Sequence, residues 1–311
     1  MPSSLGPPGW APPAGRAPGS RLWNWRRLRT LRGVTRFSEP GGYRQPGPMT
    51  ALAEEQIRFT EDLPDDPVRI CAAVQRLVIQ PHDAIAAGVP ESRLAEKNIR
   101  PVSRQIEVLA GLDPAPLSKP RPPAGRVVGT CRDFALLSCA LLRLRGIPAR
   151  ARCGFGTYFQ PGKNLDHWVT EYQAPGQRRW TRIDAEILGS SLVSHPDDLA
   201  PGEFLTGGEA WAWYRTGTVD GQSFGVPGTT HAWGPAEIRG NAIRDLAALC
   251  NLEMLPWDEW GRMEASYAGK TGPDYDLLID EIAATCASDD PATISRLYAT
   301  EDLAVPDNLI A

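Results

Sequence analysis

Residues 126–186 read RVVGTCRDFALLSCALLRLRGIPARARCGFGTYFQPGKNLDHWVTEYQAPGQRRWTRIDAE. The stretch puts a cysteine at a helix start, a histidine on a strand and an aspartate on the strand after it. That order outlines a thiol nucleophile, its base and a group that orients the base.

The helix follows from spacing alone. Phe134, Leu137, Leu141 and Leu144 fall in phase, and Ala135, Leu136, Cys139, Ala140 and Leu142 make the other faces nearly as apolar, so burial is expected almost all round. Thr130 stands at the N-cap position with Asp133 three residues on; Arg143 and Arg145 occupy the last turn, and Gly146 with Pro148 ends the helix. Cys131, in the first turn, faces unpaired N–H groups and the positive end of the dipole, which favour thiolate. Cys139 lies in the apolar middle and reads as a small hydrophobe.

Downstream, Ala149, Ala151, Cys153 and Phe155 alternate with Arg150, Arg152 and Gly154, a half-buried strand leading to a Gly-Pro-rich loop over 157–164. DHWVTEYQ and RRWTRIDA supply two further strands around a turn at 174–177. Paired antiparallel, they bring His167 beside Asp184, while Asp166 points to the opposite face.

Four pieces in this order, GTCRDFA, LRGIPAR, DHWVTEY and RWTRIDA, resemble the transglutaminase-like superfamily, compact bacterial-type members in particular. The resemblance implies an α+β fold with a papain-like core, in which a nucleophile helix packs on an antiparallel sheet. Matched residue by residue, Cys131 falls on the nucleophile, His167 on the base and Asp184 on the orienting acid. The separations, 167 − 131 = 36 and 184 − 167 = 17, suit that pattern. The activity implied is acyl transfer through a thioester, from an amide, ester or thioester donor such as a peptide, to water or to an amine acceptor. The alternative is a catalytically silent module of the same fold that binds a peptide or protein.

The rest of the chain is read around that core. Residues 1–48 carry eight arginines against the single acid Glu39 and show no apolar period, so they read as a disordered Pro/Gly/Arg-rich arm, with Met49 as a more natural start. The whole chain carries 33 − 37 = −4, the arm 8 − 1 = +7 and the remainder −11, which argues against a nucleic-acid surface on the folded part. Residues 49–125 read as a helical part of the core, with helices over 66–80, 92–97 and 102–112. A proline-rich connection over 113–125 then forms a candidate cleft rim. The core proper is placed at 126–190. Residues 191–311 read as a mainly helical extension, with helices near 211–214, from Pro235, and over 257–265, 274–287 and 292–299.

Trp168, Trp180, Trp211, Trp233 and His231 are candidates to line a substrate cleft, and the Cys131 backbone N–H is a candidate oxyanion donor. Six cysteines without close pairing or a secretory leader point to a reducing, cytoplasmic setting. Neither zinc-type spacing nor a calcium loop appears, so no metal or cofactor is expected. No apolar run is long enough for a membrane span, and no membrane partner is expected.

Overall fold

The computed structural model describes residues 42–300 and 302–310. Residues 1–41 of the expected arm lie outside them. Packing begins before Met49: the Tyr43 O–H donates to the Leu249 carbonyl at 3.0 Å, and its ring meets Trp180 edge-on at 5.5 Å. Residues 42–48 therefore belong to the packed body rather than to an arm.

The chain first forms a helix over Pro67–Val74, capped by the Asp66 carboxylate, which accepts the Arg69 N–H at 2.9 Å. The expected continuation to residue 80 stops there. Val78–Ile79 is a strand, β1, paired in parallel with β2 at Val127–Val128. A partner 49 residues away in sequence, from Val78 to Val127, claims the backbone of this apolar run. Residues 91–98 wind as a 3-10 helix and Val102–Leu112 as an α-helix. The proline-rich connection is fastened by the buried Arg121, which donates to the carbonyls of Leu109 and Ala115.

The Cys131–Leu144 helix is buried at every position but its last, as its all-round apolarity requires. It lies between the Pro67–Val74 and Val102–Leu112 helices and a sheet made of β3 (Ala149–Gln160), β4 (Lys163–Tyr172), β5 (Thr181–Ile183), β6 (Phe204–Thr206) and β7 (Phe224–Gly225). The strand order is β5-β4-β3-β6, with β7 pairing β4 in parallel and the other pairs antiparallel. The stretch expected as a loop over 157–164 is instead mostly strand. Only Pro161 and Gly162 turn the hairpin, and Gly162 takes φ +73°, the left-handed region open to glycine.

The C-terminal extension does more than pack on the core, because β6 and β7 are strands of the same sheet. Its helices over Gly207–Arg215, Pro235–Leu249, Pro273–Ser288 and Pro291–Tyr298 match the expected segments, while the one expected over 257–265 forms at Arg262–Tyr267. The Pro235–Leu249 helix runs beside β3, where β6 leaves the edge uncovered. Asp245 Oδ1 accepts the Cys153 N–H at 3.0 Å and Asn241 Nδ2 donates to the Gly154 carbonyl at 3.1 Å, so side chains complete the strand edge.

A buried charge cluster ties the extension to the sheet. Glu171 accepts from Arg150 at 2.7 Å, Arg152 at 3.0 Å and Arg182 at 2.8 Å. The same guanidiniums reach outward to Asp289, Asp245 and Glu209, respectively. Arg150 also stacks on Trp180 at 4.0 Å. No helix among the described residues is long and apolar enough to cross a membrane.

Candidate functional site

Two local devices position the thiol. Parallel pairing of β1 with β2 delivers Gly129 and Thr130 to the helix start, where the Thr130 N–H donates to Asp133 Oδ2 at 2.8 Å. Asp133 is itself held by Gln105 at 2.8 Å and Arg132 at 2.9 Å. The fully buried Arg132 then donates twice to the carbonyl of Glu253, locking the first turn to the extension. As first residue of the helix, Cys131 keeps an N–H without an intrahelical acceptor.

The candidate base, His167, sits on β4. His167 pairs with Gly154 of β3, and Gly154 pairs with Thr206 of β6. A Cβ at position 154 would lie 2.0 Å from the Leu205 carbonyl oxygen, so three strands close up at this point only because the residue is glycine. The imidazole is boxed by rings: Phe159 at 4.8 Å, Tyr158 at 6.1 Å and Phe204 at 6.5 Å. His167 Nε2 lies 2.7 Å from Asp184 Oδ2, which leaves Nδ1 as the nitrogen free for the thiol. Cys131 Sγ, a His167 ring nitrogen and a Glu186 carboxylate oxygen lie within 4.8 Å of one another.

Asp184 follows β5 and accepts three bonds. Besides His167 it takes the Tyr158 O–H at 2.5 Å and the Glu186 N–H at 3.0 Å. Such a carboxylate has no rotational freedom left, and the ring it holds has none either. Asp166 turns away from this pair and accepts from Asn241 Nδ2 at 2.8 Å, as expected from its strand parity.

Electrostatics modify the expectation of a ready thiolate. Burial pushes the Cys131 thiol up, and the hydrogen bond and charge of His167 draw it down only partly, to about 11. For His167, burial disfavours the cation, but the Asp184 charge and hydrogen bond outweigh it and raise its pKa well above the ordinary range, which makes the imidazole a strong acceptor for the thiol proton. The helix start alone therefore does not ionise the thiol, because Cys131 is only 7 % exposed and desolvation dominates.

A cavity of about 690 Å³ adjoins the site. Its wall includes Phe134 from the cysteine helix, Phe159 beside the imidazole, Gln80, Glu186, Ile79 and Leu192, and Pro123 brings the proline-rich connection to its edge. None of the five residues expected in a cleft lines it. Trp168 is 1 % exposed in the core, with its indole N–H unpaired. Trp180 and Trp211 donate to Asp289 at 2.9 Å and Asp280 at 2.7 Å, anchoring the extension. Trp233 packs on Gly225 under Lys163, and His231 is exposed. Four of these are large apolar bodies taken up by packing, so their number in the sequence carried no direction.

Glu186, Tyr158, Phe159 and Gln80 are the site residues that sequence reading passed over. Glu186 had a signal, since it stands two residues beyond Asp184 in the string IDAE. Its Oε1 accepts from Gln80 Nε2 at 2.9 Å, its Oε2 is buried without a partner, and burial raises its pKa.

No curated protein and no solved structure matches the chain. Residues 113–185 match the family model of the transglutaminase-like superfamily, over a span that holds Cys131, His167 and Asp184, so this segment of the chain is similar to that superfamily's core.

Proposed function

We propose that the protein is a cysteine-dependent acyl-transfer enzyme. Cys131 Sγ attacks the carbonyl carbon of an amide, ester or thioester while His167 Nδ1 takes the thiol proton. The proton passes to the leaving group as the carbon–heteroatom bond breaks, and a thioester remains on Cys131. Water or an amine then attacks that thioester, its proton going to His167, and the thiolate departs. Asp184 keeps the imidazole in the tautomer that presents Nδ1 to sulfur. The Cys131 N–H meets the oxyanion.

The observation that carries this reading is the Asp184–His167 contact at 2.7 Å through Nε2, with the Cys131 thiol hydrogen-bonded to the same ring. Tyr158, the Glu186 N–H and the aromatic box support it by fixing both partners. The test is brief iodoacetamide treatment followed by intact mass spectrometry of wild type, Cys131→Ala and His167→Ala. One fast adduct that requires both residues supports an activated pair. Slow labelling indifferent to His167 sinks the reading in favour of a silent peptide-binding module.

A further inference from the structure

Acyl transfer uses the thiol and the imidazole but leaves Glu186, the third donor beside them, without a role. A sulfur, a nitrogen and an oxygen converge within 4.8 Å of one another. Across a tetrahedral site with bonds of ~2.0–2.3 Å, donors stand roughly 3.5 Å apart, so the three need only close by about an ångström. Glu186 carries that movement, since its Oε2 has no hydrogen-bond partner to give up.

Each flexible donor also has an outer partner of the kind that steadies a metal ligand. Asp184 holds the far nitrogen of His167 at 2.7 Å, and Gln80 holds the far oxygen of Glu186 at 2.9 Å. The neighbouring cavity, which Glu186 lines, offers a path for an ion. Sulfur, imidazole and carboxylate together suit a borderline-soft divalent ion and not calcium or magnesium, which take oxygen.

We propose that Cys131, His167 and Glu186 bind a divalent ion of the zinc class, with water as fourth ligand, and that the bound ion holds the acyl-transfer site shut. The thiol proton and any proton on Nδ1 leave to solvent as the ion enters. Nucleophile and base are then both engaged, so metal binding and acylation exclude each other. The inference goes beyond the acyl-transfer reading, and its readout is metal binding itself, which is observed whether or not the protein turns over a substrate.

The test is titration of the full chain with Co²⁺, following the thiolate-to-cobalt charge-transfer absorption, then displacement by Zn²⁺ against a chromophoric chelator. One Co²⁺ per chain with that absorption is expected, and the band is lost in Cys131→Ala. Zn²⁺ affinity should fall at least ~10-fold in Glu186→Gln and about 10-fold in Gln80→Ala, which leaves all three ligands in place. Circular dichroism checks that each variant is folded. Bound Zn²⁺ should also protect Cys131 from iodoacetamide. Absence of the band, its persistence in Cys131→Ala, or wild-type Zn²⁺ affinity in both Glu186→Gln and Gln80→Ala would overturn the proposal.

Discussion

Replacing Asp184 by asparagine separates the orienting role from the mere filling of space. The amide oxygen in the Oδ1 place still accepts the Glu186 N–H, but the NH₂ then takes the Oδ2 place and faces both His167 Nε2 and the Tyr158 hydroxyl. That nitrogen must become an acceptor, which moves the ring proton to Nδ1, the nitrogen facing sulfur. Two effects follow. Without the Asp184 charge His167 is a weaker base, so it draws the thiol down less. Cys71 and Cys139, buried thiols without an imidazole neighbour, stand at about 12, against about 11 for Cys131. Losing that pull raises the Cys131 thiol further and leaves less thiolate at neutral pH. Alkylation of Cys131 at pH 7.5 (~neutral) should therefore slow. Turnover should fall further, on the order of 10³–10⁴, because the wrong tautomer cannot accept the proton. The assay is the second-order rate of iodoacetamide labelling by mass spectrometry, beside Asp166→Asn, which touches Asn241 and not the imidazole. Unchanged labelling in Asp184→Asn with collapse in Asp166→Asn would refute the reasoning.

Other expectations concern the scaffold. Gly154→Ala drives a methyl group into the Leu205 carbonyl and should cost at least ~3 kcal/mol in urea unfolding, because the clash is with backbone. Glu171→Gln leaves three buried guanidiniums short of a partner and should cost ~3–5 kcal/mol by the same measurement. In the wild type, burial raises the Glu171 pKa, but Arg152, Arg150 and Arg182 outweigh it and lower it well below 4.5. The stability this supplies is present above that value and is lost as pH falls beneath it, which an acid series of urea midpoints reads. At the alkaline end, burial raises Cys71, Cys139 and Cys250 from 9.0 to about 12 and Cys131 to about 11. The unfolded chain releases these protons first, so the urea midpoint should hold below pH 9 and decline as pH rises toward 11–12.

What the sequence could tell depended on how local the cause was. The Cys131 helix carries its own start, stop and apolar phase within nineteen residues, from Thr130 to Pro148, and it forms where those signals put it. That Cys131, His167 and Asp184 would be neighbours was readable because each lies on or beside an element with a clear pattern. β6 and β7 were not: at three residues and two, they are too short for alternation to register, and their partners are 50 or more positions distant, Gly154 from Thr206 and Asn164 from Phe224. β1 was absorbed into the preceding helix for the same reason, since Val127 is what makes Val78 a strand residue. Gly154 was read only as an alternating strand position, whereas it marks close backbone approach between strands. The tryptophans misled because bulk is visible in a sequence and direction is not. Glu186 was missed because a carboxylate two residues past the triad acid looks like a solvated end of a strand until Gln80 and the thiol are seen beside it.

The central claim is that Cys131 carries an acyl group. The most direct measurement is rapid-quench intact mass spectrometry after mixing the protein with p-nitrophenyl acetate, followed by hydroxylamine. A single acetyl adduct mapped to Cys131 is expected, discharged by hydroxylamine as the hydroxamate, slowed in His167→Ala and absent in Cys131→Ala. An adduct of equal yield in Cys131→Ala, or no adduct on Cys131 while p-nitrophenol is released, would contradict it.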